Sequence, residues 1–181
     1  AISGADADDI NTVTVTGGTS GAVKVITFVD AMGAHIDTLA IADHTNLIID
    51  TAATAPAITL GSGGILQTGI NSATITGTID GTVAGNGTLD VDHTVTAVVG
   101  SIGATKSIAA IDIAAAKVLT TNSAVIKAST ITFGDATSEL NTITTATTIT
   151  GNLVAGADGA GDLDVDIGTT IVGNVGSSTV L

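Results

Sequence analysis

Three aspartates alternate with apolar residues in the segment DLDVD, which places carboxylates at Asp162, Asp164 and Asp166. In an extended strand alternate side chains share one face, and two such neighbours lie about 7 Å apart. Three carboxylates in this arrangement repel one another, and Ca²⁺, which prefers oxygen ligands, would relieve the repulsion. Asp158 lies close by in the sequence and completes the candidate calcium set. The alternative is a solvated acidic face that binds no ion.

The calcium hypothesis does not rest on a known loop motif. Asp90 and Asp92 form a thinner version of the same pattern earlier in the chain. An EF-hand is incomplete, because Gly168 stands one place late for the turn and Gly173 occupies the position of the bidentate Glu. Any calcium here would therefore be weakly bound or structural.

Two histidines occur in matching DHT phrases, at His44 and His93, and His35 is the third histidine of the chain. If the two phrases faced each other across a turn of the fold, their imidazoles and neighbouring aspartates could bind Zn²⁺. A sequence repeat explains the match equally well, because it reproduces surface residues whether or not they bind a ligand.

Threonines are concentrated in TVTVT at 12–16 and TITTATTIT at 142–150. Ranks of hydroxyl groups on a flat face are what an ice-binding solenoid presents. The Thr-x-Thr pairs lack a short regular spacing, so ladders of threonines that stabilise a sheet are the favoured interpretation.

Residues for catalysis are scarce. The chain has no GxSxG motif, and Thr105 replaces the glycine that a phosphate-binding loop needs before Lys106 and Ser107. A carbohydrate-active β-helix would need aromatic rings and basic residues, and the chain has two phenylalanines and four lysines. The sequence therefore predicts that the protein is not an enzyme.

The charge balance limits the partners. The net charge is −13. The chain has four lysines, at positions 24, 106, 117 and 127, and no arginine. Nucleic acids and anionic membranes need clustered basic residues, so neither is expected as a partner. Residues 51–79 carry no charge but are too rich in Thr, Ser and Gly, and too interrupted by Pro56, to form a transmembrane segment.

The elements that position these residues repeat along the chain. Residues 64–92 match residues 138–166 without a gap at an offset of 74, and 12 of the 29 pairs are identical. Such self-similarity is typical of stacked units that bury their apolar faces against one another. The sequence therefore predicts a rod built from repeats of about 74 residues.

Short apolar-alternating runs separated by Gly, Asn or Asp follow one another from Asn11 onward, which predicts β-strands. The segment SIAAIDIAAAKV at 107–118 is the one rival helix, and we expect a strand there. Pro56 should lie at a corner or an edge, where no backbone donor is needed. With so few aromatics, the core must be narrow and layered from Ile, Val, Leu and Ala.

Several phrases together resemble a known family. VGSIG (99–103), SIAAIDI (107–113), AVIKASTITF (124–133), SELNTITTATTITGNLV (138–154) and GAGDLDVDIGTTIVGNVG (159–176) are similar to the repeat region of rickettsial outer membrane protein A and its relatives, the surface cell antigens. The resemblance covers about residues 60–181 and implies an exported autotransporter passenger, a parallel β-solenoid and a role in adhesion.

These observations predict an all-β parallel solenoid of about 8–9 turns with a rise of about 4.8 Å. Residues 1–10 are expected to form an acidic arm or a first strand, and residues 11–181 a single repeat-built domain. We expect an extracellular or cell-surface protein of bacterial origin, either a passenger-type adhesin segment or a subunit that stacks end to end into a filament or surface layer. The partners would be further copies of the chain or a host or neighbouring cell surface. The alternative is an ice-binding or calcium-dependent adhesive module.

Overall fold

Strands separated by turns occupy the chain, as the alternation of apolar and polar residues predicts. A computed structural model describes residues 10–32, 36–69, 73–143, 146–157 and 159–176, and no helix occurs in these ranges. The strands are β1 (Ile10–Val15), β2 (Lys24–Phe28), β3 (Ile36–Ile41), β4 (Thr45–Ile49), β5 (Ala52–Leu60), β6 (Ile65–Thr68), β7 (Thr74–Gly81), β8 (Thr88–Val91), β9 (Val95–Val99), β10 (Ile108–Ile113), β11 (Val118–Thr121), β12 (Val125–Phe133), β13 (Glu139–Thr142), β14 (Thr148–Ala155), β15 (Asp162–Val165) and β16 (Thr170–Val172).

All pairing between these strands is parallel. Each strand pairs with the strand two positions away in chain order and not with the one next to it in the chain. One sheet has the order β1-β3-β5-β7-β9-β11-β13-β15, and the other has the order β16-β14-β12-β10-β8-β6-β4-β2. Parallel strands with short connections must wind around an axis, and this chain forms a β-solenoid of about 7 turns of about 22 residues. The predicted fold class is confirmed, and the expected number of turns was slightly too high.

Each turn has three sides, which follow from the residues that pair between successive turns. The inward residues of the first side are Val13, Leu39, Ile58, Ile79, Ile102, Ile126, Ile149 and Ile171. Those of the second side are Ile26, Leu47, Leu66, Leu89, Ile111, Ile131, Leu153 and Val175. Those of the third side are Met32, Ala53, Ile75, Val98, Leu119, Leu140 and Leu163, with a register shift between β9 and β11.

The core is a column of stacked aliphatic side chains enclosed by the three sides. From Leu39 to Leu153, nearly all inward residues of the three sides are fully buried. Phe133, which follows the second side, is also fully buried and is the largest side chain in the core. Buried hydroxyls lie at the corners and bond to backbone carbonyls of the adjacent turn, as when Thr147 Oγ1 donates to the carbonyl of Ser123 at 3.0 Å. This narrow, layered interior is the one that the composition predicts.

Four long strands run through a corner instead of ending there. In β5 and β7 the corner joins the third and first sides, and the pairing register shifts between Thr54 and Ala57. Pro56 lies exposed at this shift, where its missing N–H is not required, so the predicted corner is confirmed. In β12 and β14 the corner instead joins the first and second sides, with a register shift between Lys127 and Thr130.

The sequence repeat appears in the structure as a rotated copy. Strands seven apart have related sequences and burial: β5 and β12 share one burial pattern, β6 and β13 a second, and β7 and β14 a third. Three turns of about 22 residues account for about 66 of the 74 residues of the offset, and the remainder is about one side. Each copied strand therefore lies one side further around the axis.

Candidate functional site

The aspartates of the calcium hypothesis lie at the last described turn of the third side. Asp162 and Asp164 are exposed on β15, where their lateral neighbours on β13 are Glu139 and Asn141. Asp166 follows the end of the strand; its N–H donates to Thr142 Oγ1 at 3.3 Å and its carbonyl accepts from Thr169 Oγ1 at 2.9 Å. Asp158 lies outside the described residues. Calcium binding here stays a prediction.

Asp90 and Asp92, the counterparts in the first copy, lie on and just after β8. Asp90 is half-buried between the lateral neighbours Gln67 and Asp112. Burial raises the pKa of Asp90 to about 6, and the nearby carboxylates of Asp92 and Asp112 add to the increase. Gln67 Nε2 donates to Asp92 Oδ2, and Asn46 Nδ2 donates to Gln67 Oε1 at 2.6 Å. Asp92 is thus hydrogen-bonded to Gln67 and, through it, to Asn46, in a network that spans three turns.

The two DHT phrases occupy different corners and have different conformations. His44 lies between the first and second sides with a φ of 53°, in the left-handed region. His93 lies between the second and third sides, where its N–H donates to Thr68 Oγ1 at 2.8 Å and its carbonyl accepts from the same hydroxyl at 2.9 Å. The structure does not bring these histidines together, and His35 lies outside the described residues. Across the described ranges, no three His, Asp or Glu side chains form a group able to hold a metal ion.

Threonines are frequent on the outer face of the first side, but their files are interrupted. Thr12 pairs with Thr38, and Thr148 pairs with Thr170. Ala57 follows Thr38 in the same file, and Val125 precedes Thr148. This interrupted spacing agrees with threonine ladders that stabilise the sheet better than with a regular hydroxyl lattice.

Three aspartates at corners bind the backbone of an adjacent turn. Asp43 Oδ1 accepts from the N–H of Ser62 at 2.7 Å, and Asp80 Oδ1 accepts from the N–H groups of Thr105 and Lys106 at 3.1 and 3.2 Å. Asp135 Oδ1 accepts from the N–H of Ala116 at 3.0 Å and also from Thr137. These hydrogen bonds hold the pKa of Asp135 at about 2. These three aspartates therefore link successive turns of the solenoid.

Among the described residues, grooves on the surface include two at corners. The larger, of about 550 Å³, follows the corner between the first and second sides; its lining residues are Ser107, Lys127, Ala128, Ser129, Thr150, Gly151, Asn152, Val172 and Gly173. The smaller, of about 230 Å³, lies near the corner between the second and third sides and includes Asp50, Gln67, Asp92 and His93. Lys127 in the larger groove donates to the carbonyl of Ala104 at 3.4 Å.

Comparison of the chain with protein-family models, with curated proteins and with solved structures finds no match. The resemblance to rickettsial surface antigens therefore stays a prediction. Among the described residues there is also no helix long and apolar enough to cross a membrane.

The sequence did not reveal the corner aspartates or the larger groove. Asp43, Asp80 and Asp135 stand in turn-forming segments, but their partners lie 19 to 26 residues away. Their spacing along the chain is irregular, so the sequence carries no periodic signal that would have found them. Lys127 stood out only as one of four lysines.

Proposed function

We propose that this chain is a non-enzymatic structural protein of a bacterial cell surface, and that its solenoid extends end to end through pairing of strands with another copy. In this role the rod supplies length and a soluble surface. It would serve either as a subunit of a filament or surface layer or as a segment of a passenger-type adhesin.

The observation that supports the proposal is that the strands of the two terminal turns have an edge without a pairing partner among the described residues. Among the described residues, β1 and β2 pair on one edge only, with β3 and β4, and β15 and β16 pair only with β13 and β14. A strand edge with unpaired N–H and C=O groups is a template for another strand.

Apolar side chains are exposed at the same two ends. Large exposed apolar residues of the described chain are Val23, Val25 and Val29 at the first turn, Val165, Ile167, Val172 and Val175 at the last, and Val83, Val99 and Ile143 between them. Seven of these ten residues therefore lie on terminal turns, where a stacked copy would cover them.

The net charge supports contact at the ends over contact along the sides. Rods with a charge of −13 repel one another along their length, whereas two ends oppose a small area. Salt screens this repulsion, so association should strengthen as ionic strength rises.

Sedimentation velocity over a range of protein concentrations, with negative-stain microscopy, tests the proposal. We expect rods that lengthen with concentration at constant width. Val25→Lys at the first turn and Val172→Lys at the last should each stop growth, because a lysine on an edge strand opposes the pairing of that edge with another strand. Val83→Lys, at an exposed position between the ends, is the matched control and should leave growth unchanged.

A mixture of the two end variants gives the sharpest result. Each variant keeps one intact end, so a head-to-tail contact predicts that the mixture forms dimers and nothing longer. A chain that stays monomeric at every concentration and salt level, or growth that Val83→Lys stops equally well, would contradict the proposal.

A further inference from the structure

We propose that the larger groove, at the corner between the first and second sides, binds an acidic saccharide chain. The inference does not depend on end-to-end assembly, because every lining residue belongs to one chain.

The shape of the groove suits an extended ligand. Its lining residues come from four successive turns, at Ser107, Lys127–Ser129, Thr150–Asn152 and Val172–Gly173. Parallel strands lie about 4.8 Å apart, so the groove runs about 14 Å along the axis of the rod. A single ion or a small anion would occupy only part of this length.

The floor of the groove is bare backbone. Gly151 and Gly173 lie one above the other, and a Cβ on either would collide with the carbonyl oxygen of the turn beneath, at Ala128 and Gly151 respectively. Both adopt a φ of 146°, which disfavours other residues. The close stacking of the turns therefore requires glycine at both positions, and the floor presents no side chains there.

The walls of the groove carry the polar groups that a carboxylated sugar needs. Hydroxyls of Ser107, Ser129 and Thr150 and the amide of Asn152 can each donate and accept hydrogen bonds, as sugar hydroxyls do. The ammonium of Lys127 has three donors, and its contact with the carbonyl of Ala104 is long, at 3.4 Å. It is the one charged residue of the lining, so the groove would pair with a single carboxylate of the saccharide and needs no cluster of cations.

The first sequence copy provides an internal comparison. There the equivalent corner joins the third and first sides, and it keeps Thr76, Gly77, Val99 and Gly100 where the groove has Thr150, Gly151, Val172 and Gly173. Strand β5 replaces Lys127 and Ser129 with Thr54 and Pro56, and β7 replaces Asn152 with Thr78. The backbone of the corner is thus repeated, whereas the cation, the hydroxyl of Ser129 and the amide of Asn152 belong to the second copy alone.

Isothermal titration with defined oligosaccharides tests the inference. The probes are tetragalacturonate, a hyaluronan tetrasaccharide, the methyl ester of tetragalacturonate as the uncharged match, and sodium acetate as a free carboxylate. We expect saturable binding of at least one acidic oligosaccharide, with binding of the ester and of acetate at least about tenfold weaker.

Variants of the groove locate the site. Lys127→Thr with Asn152→Thr introduces the residues of the first copy at two positions of the lining and should weaken binding at least about tenfold. Lys127→Gln, which removes the charge but keeps a polar side chain, should do nearly the same. Lys117→Thr removes the same charge outside the groove and should leave affinity unchanged. Circular dichroism and the urea midpoint check that each variant folds.

Three results would overturn the inference. They are the absence of binding by both acidic oligosaccharides, equal binding of the ester or of acetate, and a loss in Lys117→Thr as large as that in Lys127→Gln. Concentration-dependent growth of the rod is measured separately, so its outcome and this one are distinguishable.

Discussion

Strands β8 and β15 have nearly the same sequence, TLDV and DLDV, but differ in burial. Leu89 and Val91 in β8 are fully buried, whereas Leu163 is half-buried and Val165 is 36% exposed. β8 lies between β6 and β10, while β15 pairs among the described residues only with β13. The difference shows that burial in this fold depends on the adjacent turns and not on the local sequence.

Truncation of the paired leucines tests this conclusion with the largest expected effect. Leu89→Ala should lower the free energy of unfolding by roughly 3 kcal/mol, because it opens a cavity between two covering turns. Leu163→Ala should cost about 1 kcal/mol, because part of that side chain is already in water. Urea denaturation followed by circular dichroism measures both.

Equal losses in the two variants would mean that β15 is covered as fully as β8. Repeating the measurement under conditions where the rods have grown sharpens the comparison, because a stacked copy should raise the cost of Leu163→Ala toward that of Leu89→Ala.

Glycines that are repeated in both copies separate contact between turns from backbone strain. Gly77 has a φ of 137°, and a Cβ there would collide with the carbonyl oxygen of Ala55 in the turn beneath. Gly85 has a φ of 85° and open space around it. Gly77→Ala should therefore cost about 2–3 kcal/mol, and Gly85→Ala about 1 kcal/mol from strain alone.

Thermal or urea unfolding of the two glycine variants checks this difference, and Gly151→Ala with Gly159→Ala repeats the test in the second copy. If Gly85→Ala were as damaging as Gly77→Ala, backbone conformation and not the approach of the turns would decide the choice of glycine.

Substitution of an aspartate that is repeated in both copies should have the smallest effect on the free energy of unfolding. The pKa of Asp90 is raised from 3.8 to about 6, so the folded chain binds more protons than the unfolded chain between these values, and stability falls as the pH rises through this window. Asp90→Asn should remove this dependence and, because solvent screens a half-buried group, stabilise the fold by about 1 kcal/mol at pH 7.

Unfolding midpoints from pH 3.5 to pH 7.5, compared with those of the unchanged chain, test the Asp90 prediction. Asp164→Asn, at the exposed equivalent position, is the matched control and should shift the midpoints less. A gain in stability that is the same at every pH would show that the titration of Asp90 is not its cause.

The sequence predicts the strands and the solenoid well, because both follow from patterns within about ten residues. Alternation along β10 overrides the helix preference of its alanines, and Pro56 marks a corner through its missing N–H. The 74-residue offset also indicates stacked units.

The geometry between turns is harder to read, because it depends on how many residues complete one circuit. The sequence does not give the number of residues in one circuit, so it does not show that the two DHT phrases lie on different corners. For the same reason the bond from Asp80 to Lys106 and the convergence of Lys127 with Asn152 were not foreseen. Their members are separated by one turn or more.

The displacement of each copy by one side has a consequence for longer assemblies. A feature carried once per 74-residue sequence copy lies one of three sides, or roughly 120°, further around the axis in the next sequence copy of the same solenoid, and a fourth sequence copy would return it to its original direction. A solenoid built from many such sequence copies would display the feature along a spiral path. A surface or a polymer beside the rod would then meet the feature at regular intervals from any direction of approach.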